Sequence, residues 1–125
     1  MYTEQIADRD TVAQVVSKAL VRAAGDLGLN GCQMARTIGL SEATISRVRR
    51  GAHLITPDTK SYELSLMVIR IHKALMEIMG QDPDAVKSWM RAENTELKAV
   101  PAKKIGDIRG LVSVLAYAET RLKNV

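Results

Sequence analysis

The sequence predicts an all-α protein, a longer N-terminal run of helices followed by a smaller helical unit. Three observations carry that prediction. Apolar residues recur at three- and four-residue spacing through most of the 125-residue chain. No stretch combines apolar–polar alternation with the β-branched enrichment of a strand. There is no phenylalanine, and one tryptophan and three tyrosines are the only aromatics. The core must therefore be built from Leu, Ile, Val, Met and Ala, which suits helix packed on helix.

The elements follow in order. Asp10 is expected to cap a first helix running to about Leu27, with Val12, Val15, Val16, Ala19, Leu20, Ala23 and Leu27 as its inner stripe. Gly25, Gly28 and Asn30-Gly31 end it. A short helix from Cys32 to Ile38 is stopped by Gly39, and Ser41 caps the next, which runs to about Arg49 and is closed by Gly51. Thr56-Pro57 reads as the start of a longer helix, with a threonine cap and proline at the first helical position. Its expected buried stripe is Leu64, Met67, Ile71, Leu75 and Ile78, and Gly80 ends it. Asp82-Pro83 repeats the start signal for a helix with Ala85, Val86, Trp89 and Met90 on one face. A looser stretch, ENTELKAV, leads to Pro101 and a short helix through Ile105. A last helix spans about Asp107 to Leu122, with Leu111, Val112, Leu115, Ala118 and Leu122 inward. The division expected from this pattern is 1–55, then 56–80 as a connecting or dimerisation helix, then 81–125.

Composition narrows the function. The net charge of +4 suits an anionic partner without proving one. Cys32 is the only cysteine, so no intrachain disulfide can form and a reducing compartment is favoured. Cys32 itself reads as a small buried apolar side chain. Residues 1–25 lack the run of roughly 7–15 apolar residues of a signal peptide. No stretch approaches the roughly 20 apolar residues of a membrane span. A cytoplasmic protein with no membrane contact is expected. No nucleophile paired with a base, no carboxylate pair and no glycine-rich phosphate loop is visible, so the chain does not read as an enzyme. His53 and His72 lack partners at metal-ligand spacing, so no metal and no cofactor is expected.

The stretch QMARTIGLSEATISRVRRG, residues 33–51, is more specific. Ala35 and Gly39 are four apart, Gly39 and Ile45 six, and Ile45 and Val48 three, with Met34, Ile38 and Leu40 beside them. A small residue lets two helices cross closely, and glycine allows a left-handed turn between them. The pattern resembles the helix-turn-helix of the Xre and Cro repressor family. Docking of such a helix puts its first residues against base edges in the major groove. Ser41, Glu42, Ala43, Thr44, Ser46, Arg47 and Arg50 then face outward. Glu42 can accept from a cytosine amino group, Arg47 can grip guanine, and Ser46 can serve either role. Arg49, Arg50 and Gln33 fall to backbone phosphates. One such helix reads too few base pairs for useful specificity, so a homodimer on a two-fold double-stranded operator is expected.

The remaining chain shows a second pattern. VKSWMRAENTELKAVPAKKI places Trp89, Met90, Asn94, Leu97 and Pro101 in order. This resembles the toxin-binding domain of the MbcA/ParS/Xre antitoxins, and the two patterns together cover about residues 10–120. The resemblance implies a type II antitoxin that neutralises a RES-domain, NAD-consuming toxin by blocking its active site with the C-terminal region, and that represses its own operon. Together the two resemblances make 1–55 the N-terminal helix-turn-helix DNA-binding region and 81–125 a small helical toxin-binding domain, with the toxin contact on residues 85–125. Trp89, Asn94, Leu97 and Pro101 are candidates, with Arg121, Lys123 and Asn124 at the end. A polar plug suits a nucleotide pocket, because cations pair with phosphates. Trp89 also reads as a core anchor, and Met67, Met76, Met79 and Met90 as core or subunit contacts. A stand-alone repressor, whose second half dimerises or senses a ligand, is the alternative; a helical adaptor without a DNA role is a third.

Overall fold

The computed structural model describes the backbone of residues 2–124 and the side chains of residues 8–124. Seven helices and no strand occur among the described residues: α1 (Tyr2–Leu27), α2 (Gly31–Ile38), α3 (Glu42–Arg49), α4 (Lys60–Ile78), α5 (Pro83–Arg91), α6 (Pro101–Lys104) and α7 (Ile108–Lys123). The all-α expectation holds. The looser stretch after α5 contains a single isolated bridge, between Asn94 and Ala99.

α4 is the central helix. It packs along α1 on one side and α7 on the other, and α5 closes against α1. One cluster of buried residues runs from Leu20 in α1 to Ala118 in α7, and every helix contributes to it. Burying each such large aliphatic side chain stabilises by about 1.5–3 kcal/mol. Polar ties cross the same seams. Asp26 of α1 meets the His72 ring of α4 at 2.8 Å. Arg70 of α4 donates twice to Glu119 of α7, at 2.5 and 3.1 Å.

Several expectations are corrected. Asp10 does not cap α1; the helix already runs through it from Tyr2. Val12 and Val15 are 39% and 60% exposed, because the inner stripe of α1 is Ala13, Val16, Ser17, Leu20 and Ala24. Thr56-Pro57 forms a turn rather than a helix start: Thr59 donates its N–H to the Thr56 carbonyl, and α4 begins at Lys60 with Thr59 as cap. The buried face of α4 is also rotated from the expected stripe. Ile71 and Leu75 are buried, but Leu64, Met67 and Ile78 are half-buried and Ser61, Ser65 and Val68 lie inside. Ser65 can be there because its hydroxyl donates to the Ser61 carbonyl at 2.6 Å, which satisfies a buried polar group within the helix. In α7, Val112 is exposed and Val114 takes the inward place. Cys32 is exposed, since α2 buries Met34, Ala35, Thr37 and Ile38 instead.

Candidate nucleic-acid interface

The turn between α2 and α3 is built from local chemistry. Asn30 caps α2 by accepting from the Gln33 N–H at 2.8 Å, and the Gln33 side chain returns the bond by accepting from the Asn30 N–H at 2.9 Å. This reciprocal box satisfies two of the donors that a helix start leaves open. Gly39 ends α2 at φ +73, a left-handed conformation that a Cβ would strain. Its N–H and that of Leu40 both return to the Ala35 carbonyl. Ser41 then caps α3, accepting from the Thr44 N–H at 3.1 Å.

Ile45 and Val48 pin α3 to the core at 1% and 3% exposure. That anchoring decides which side chains remain outside. Ser41, Glu42, Ala43, Ser46, Arg47, Arg49 and Arg50 are exposed, and Thr44 is half-buried. Arg47 donates to the Thr44 hydroxyl at 3.4 Å, and Arg50 to the Ser46 hydroxyl at 3.0 Å. Among the described residues no ion pair ties Arg47, Arg49 or Arg50 to a carboxylate. Their charge is left for an anionic partner.

Arg49 differs from its neighbours. Its guanidinium turns back from α3, donates to the Leu29 carbonyl at 3.3 Å and lies 3.1 Å from the Met34 sulfur. It ties α3 to the α1–α2 turn. Gln33 likewise spends its carbonyl oxygen on the helix start.

The C-terminal candidates fall into two groups. Asn94 and Ala99 exchange backbone bonds at 2.9 and 3.3 Å, and the Asn94 side chain accepts from the Leu97 N–H at 2.9 Å. Asn94 thus shapes the turn, Leu97 packs half-buried against the core, and Pro101 is buried as the first residue of α6. The second group is a surface cluster. The Trp89 ring, half-buried, stacks on Tyr117 with centroids 6.0 Å apart and 21° between planes. The Arg121 guanidinium lies 5.5 Å above the Tyr117 ring and reaches Glu96 at 3.4 Å. A depression of about 110 Å³ opens beside them over Leu75, Met79 and Ala118. Lys123 and Asn124 are exposed at the end of α7. Because Ala118 is fully buried and Leu122 half-buried, α7 belongs to the core almost to its end.

Tyr117 and Glu96 were not expected in this cluster. The Tyr117–Arg121 contact is a one-turn pair on α7, but their meeting with Trp89 and Glu96 joins three separate segments, which nothing in the linear sequence marks. Of the methionines, Met90 is fully buried and Met67, Met76 and Met79 are half-buried. No group of three His, Cys, Asp or Glu side chains among the described residues could hold a metal ion. No helix among them is long and apolar enough to cross a membrane.

Among known families, the antitoxin Xre-like helix-turn-helix domain matches residues 7–70, just over half the chain. No curated protein matches the sequence.

Proposed function

The chain belongs to the antitoxin Xre-like helix-turn-helix family, DNA-binding regulators, and from that premise we propose that it is a type II antitoxin that represses its own operon and neutralises a partner toxin of the RES type. The observation that carries the reading is the form of α3. Its apolar side is locked by Ile45 and Val48, while its outer side offers Glu42, Ser46, Arg47 and Arg50 on a rigid helix. In this reading Arg47 grips guanine O6 and N7, Ser46 and Glu42 read neighbouring base edges, and Arg50 meets a phosphate. The Gln33 amide nitrogen, on the side of the carboxamide away from the capping bond, reaches a second phosphate. Arg49 serves the interface by holding α3 in place. Two copies bind as a dimer, with half-sites about one helical turn apart.

Toxin contact falls to the Trp89–Tyr117–Arg121 cluster with the 94–97 turn. Trp, Tyr and Arg are the residue types most enriched at binding hot spots. Lys123 and Asn124 extend beyond it as the elements free to enter a toxin pocket. By this division 81–125 is the toxin-binding unit, even though it shares a core with the reader.

That shared core also favours a second reading, the stand-alone repressor. Val86, Met90, Ile105 and Leu111 lie in the same buried cluster as Leu27, Met34 and Ile45. On this view the C-terminal helices exist to support the reader. Co-expression with the adjacent reading frame separates the two. The antitoxin reading expects the neighbour alone to arrest growth, and this protein to restore growth and co-purify with it. A neighbour that is harmless and does not bind leaves the stand-alone repressor.

A further inference from the structure

A cleft lies beside the reading helix rather than on it. It has a volume of about 670 Å³ and runs between α1 and the end of α3 with the turn after it. Its rim carries Lys18 and Arg22 from α1, Arg50 from the end of α3, and His53 from the following turn. These four side chains belong to exposed residues, and among the described residues none is ion-paired with a carboxylate. Among the described residues no Asp or Glu lines the cleft. Lys18 and Arg22 are one helical turn apart, so they project from the same side of α1. Lys18, Arg22 and Arg50 are permanent cations around one hollow, with Arg49 lining it too although its guanidinium reaches the Leu29 carbonyl, and this like charge favours an anion between them.

We infer that this cleft binds phosphate, held by Lys18, Arg22, Arg50 and His53, and that its occupant when the protein is on DNA is a backbone phosphate next to the bases read by α3. This deepens the DNA-reading proposal and, for that occupant, rests on it. Arg50 joins the two surfaces: it lines the cleft and donates to Ser46 on the outer side of α3. The backbone of a duplex lying across α3 carries phosphates past both ends of the helix. The cleft gives one of them a guanidinium fork, a point charge and an imidazole from a separate element. α1 thereby acquires a role that its sequence, read only for its apolar stripe, does not advertise. A free phosphate compound of similar charge fits the same chemistry and would compete with DNA for Arg50.

The test uses the full chain, a labelled duplex from upstream of its own reading frame, and a scrambled duplex. Affinities of the wild type and of a Lys18→Gln/Arg22→Gln variant are compared by anisotropy over a range of salt. Both positions are exposed, and thermal melting checks that the fold is intact. Each lost phosphate contact lowers the salt slope by about 0.9. The advantage of wild type over variant should therefore shrink by about 3.5-fold per lost contact between 50 and 200 mM salt. The preference for the true over the scrambled duplex should not change. Calorimetric titration with inorganic pyrophosphate forms the second arm. Pyrophosphate binding that is lost in the variant, without any effect on DNA, supports a phosphate cleft whose occupant is free rather than in the duplex. A variant that matches wild type on DNA and in pyrophosphate binding overturns the inference. If wild type fails to prefer its own duplex, the reading role of α3 fails, and the pyrophosphate arm still judges the cleft by itself.

Discussion

Replacing Gly110 by alanine sets two effects of opposite sign against each other. Gly110 is the third residue of α7, and its N–H donates to the Asp107 cap at 2.8 Å. Glycine inside a helix costs about 1 kcal/mol relative to alanine, so helix propensity alone makes Gly110→Ala stabilising by about that much. The tertiary structure reverses the sign. A Cβ at this position would lie 2.7 Å from the Lys104 carbonyl carbon and 3.0 Å from the Lys104 Cγ, with the carbonyl oxygen nearer still. The obstacle is backbone, which cannot swing aside like the end of a side chain. Overpacking of this kind costs about 1–3 kcal/mol, and a backbone clash belongs at the upper end. The net expectation is a loss of about 2 kcal/mol, or a melting temperature lower by about 8 °C for a chain of this size. Thermal and urea unfolding followed by far-ultraviolet circular dichroism measure it directly. A variant that melts at or above the wild-type temperature would refute the reasoning, because α6 and α7 would then not meet as closely as described.

Four further outcomes follow from the same structure. Arg47→Ala should lose about 1–3 kcal/mol of binding to the true operator and relax preference at one base position, measured by titration against duplexes substituted singly at each base pair. Arg49→Ala should lower folding stability by about 1 kcal/mol through loss of the bond to the Leu29 carbonyl, and should leave the salt slope of DNA binding nearly unchanged; a slope reduced by about 1 would instead make it a phosphate contact. Thr37→Val should stabilise by about 1 kcal/mol, because the buried Thr37 hydroxyl has no hydrogen-bond partner and valine fills the same space; urea denaturation decides it, and a destabilised variant would mean the hydroxyl is satisfied in solution. Trp89→Ala should cost about 2 kcal/mol of stability, less than the ~3–5 of a fully buried aromatic, and should abolish co-purification with a toxin that docks on the Trp89–Tyr117 stack. A pull-down that still recovers the toxin moves the contact elsewhere.

The parts of the fold that were legible in the sequence are those governed by local rules. Ser41 and Asp82 act as helix caps as expected, Pro83 and Pro101 open helices, and Gly39 and Gly80 lie just past helix ends with positive φ. Each of these is decided by a few neighbouring residues, through a hydrogen bond to an open N–H or an absent Cβ. The Thr56-Pro57 signal misled for the same reason. Thr59 offers an equally good cap three residues later, and the sequence does not rank the two. The start of α1 lay beyond the reach of a cap rule because Asp10 can sit in a helix as well as ahead of one.

What was readable without the structure is the helical class, most turn positions and the inward set Met34, Ala35, Ile38, Ile45 and Val48 of α2 and α3, because spacing along a helix fixes direction relative to the axis. The sequence could not fix rotation of a helix against its neighbours. That is why the buried face of α4 centres on Ser65 and Val68, why Val15 and Val112 face outward, and why Cys32 is exposed. Nor could it say where a long side chain ends. Arg49 and Arg50 are adjacent in a basic run, yet one guanidinium is turned back on the Leu29 carbonyl and the other donates to the Ser46 hydroxyl on the outer side of α3. Likewise Trp89 and Glu96 meet the Tyr117–Arg121 pair of α7 only because α5 and the turn after it are packed against that helix. Helical periodicity is a property of one segment, whereas a surface cluster is made by several, and only tertiary packing brings those segments into one place.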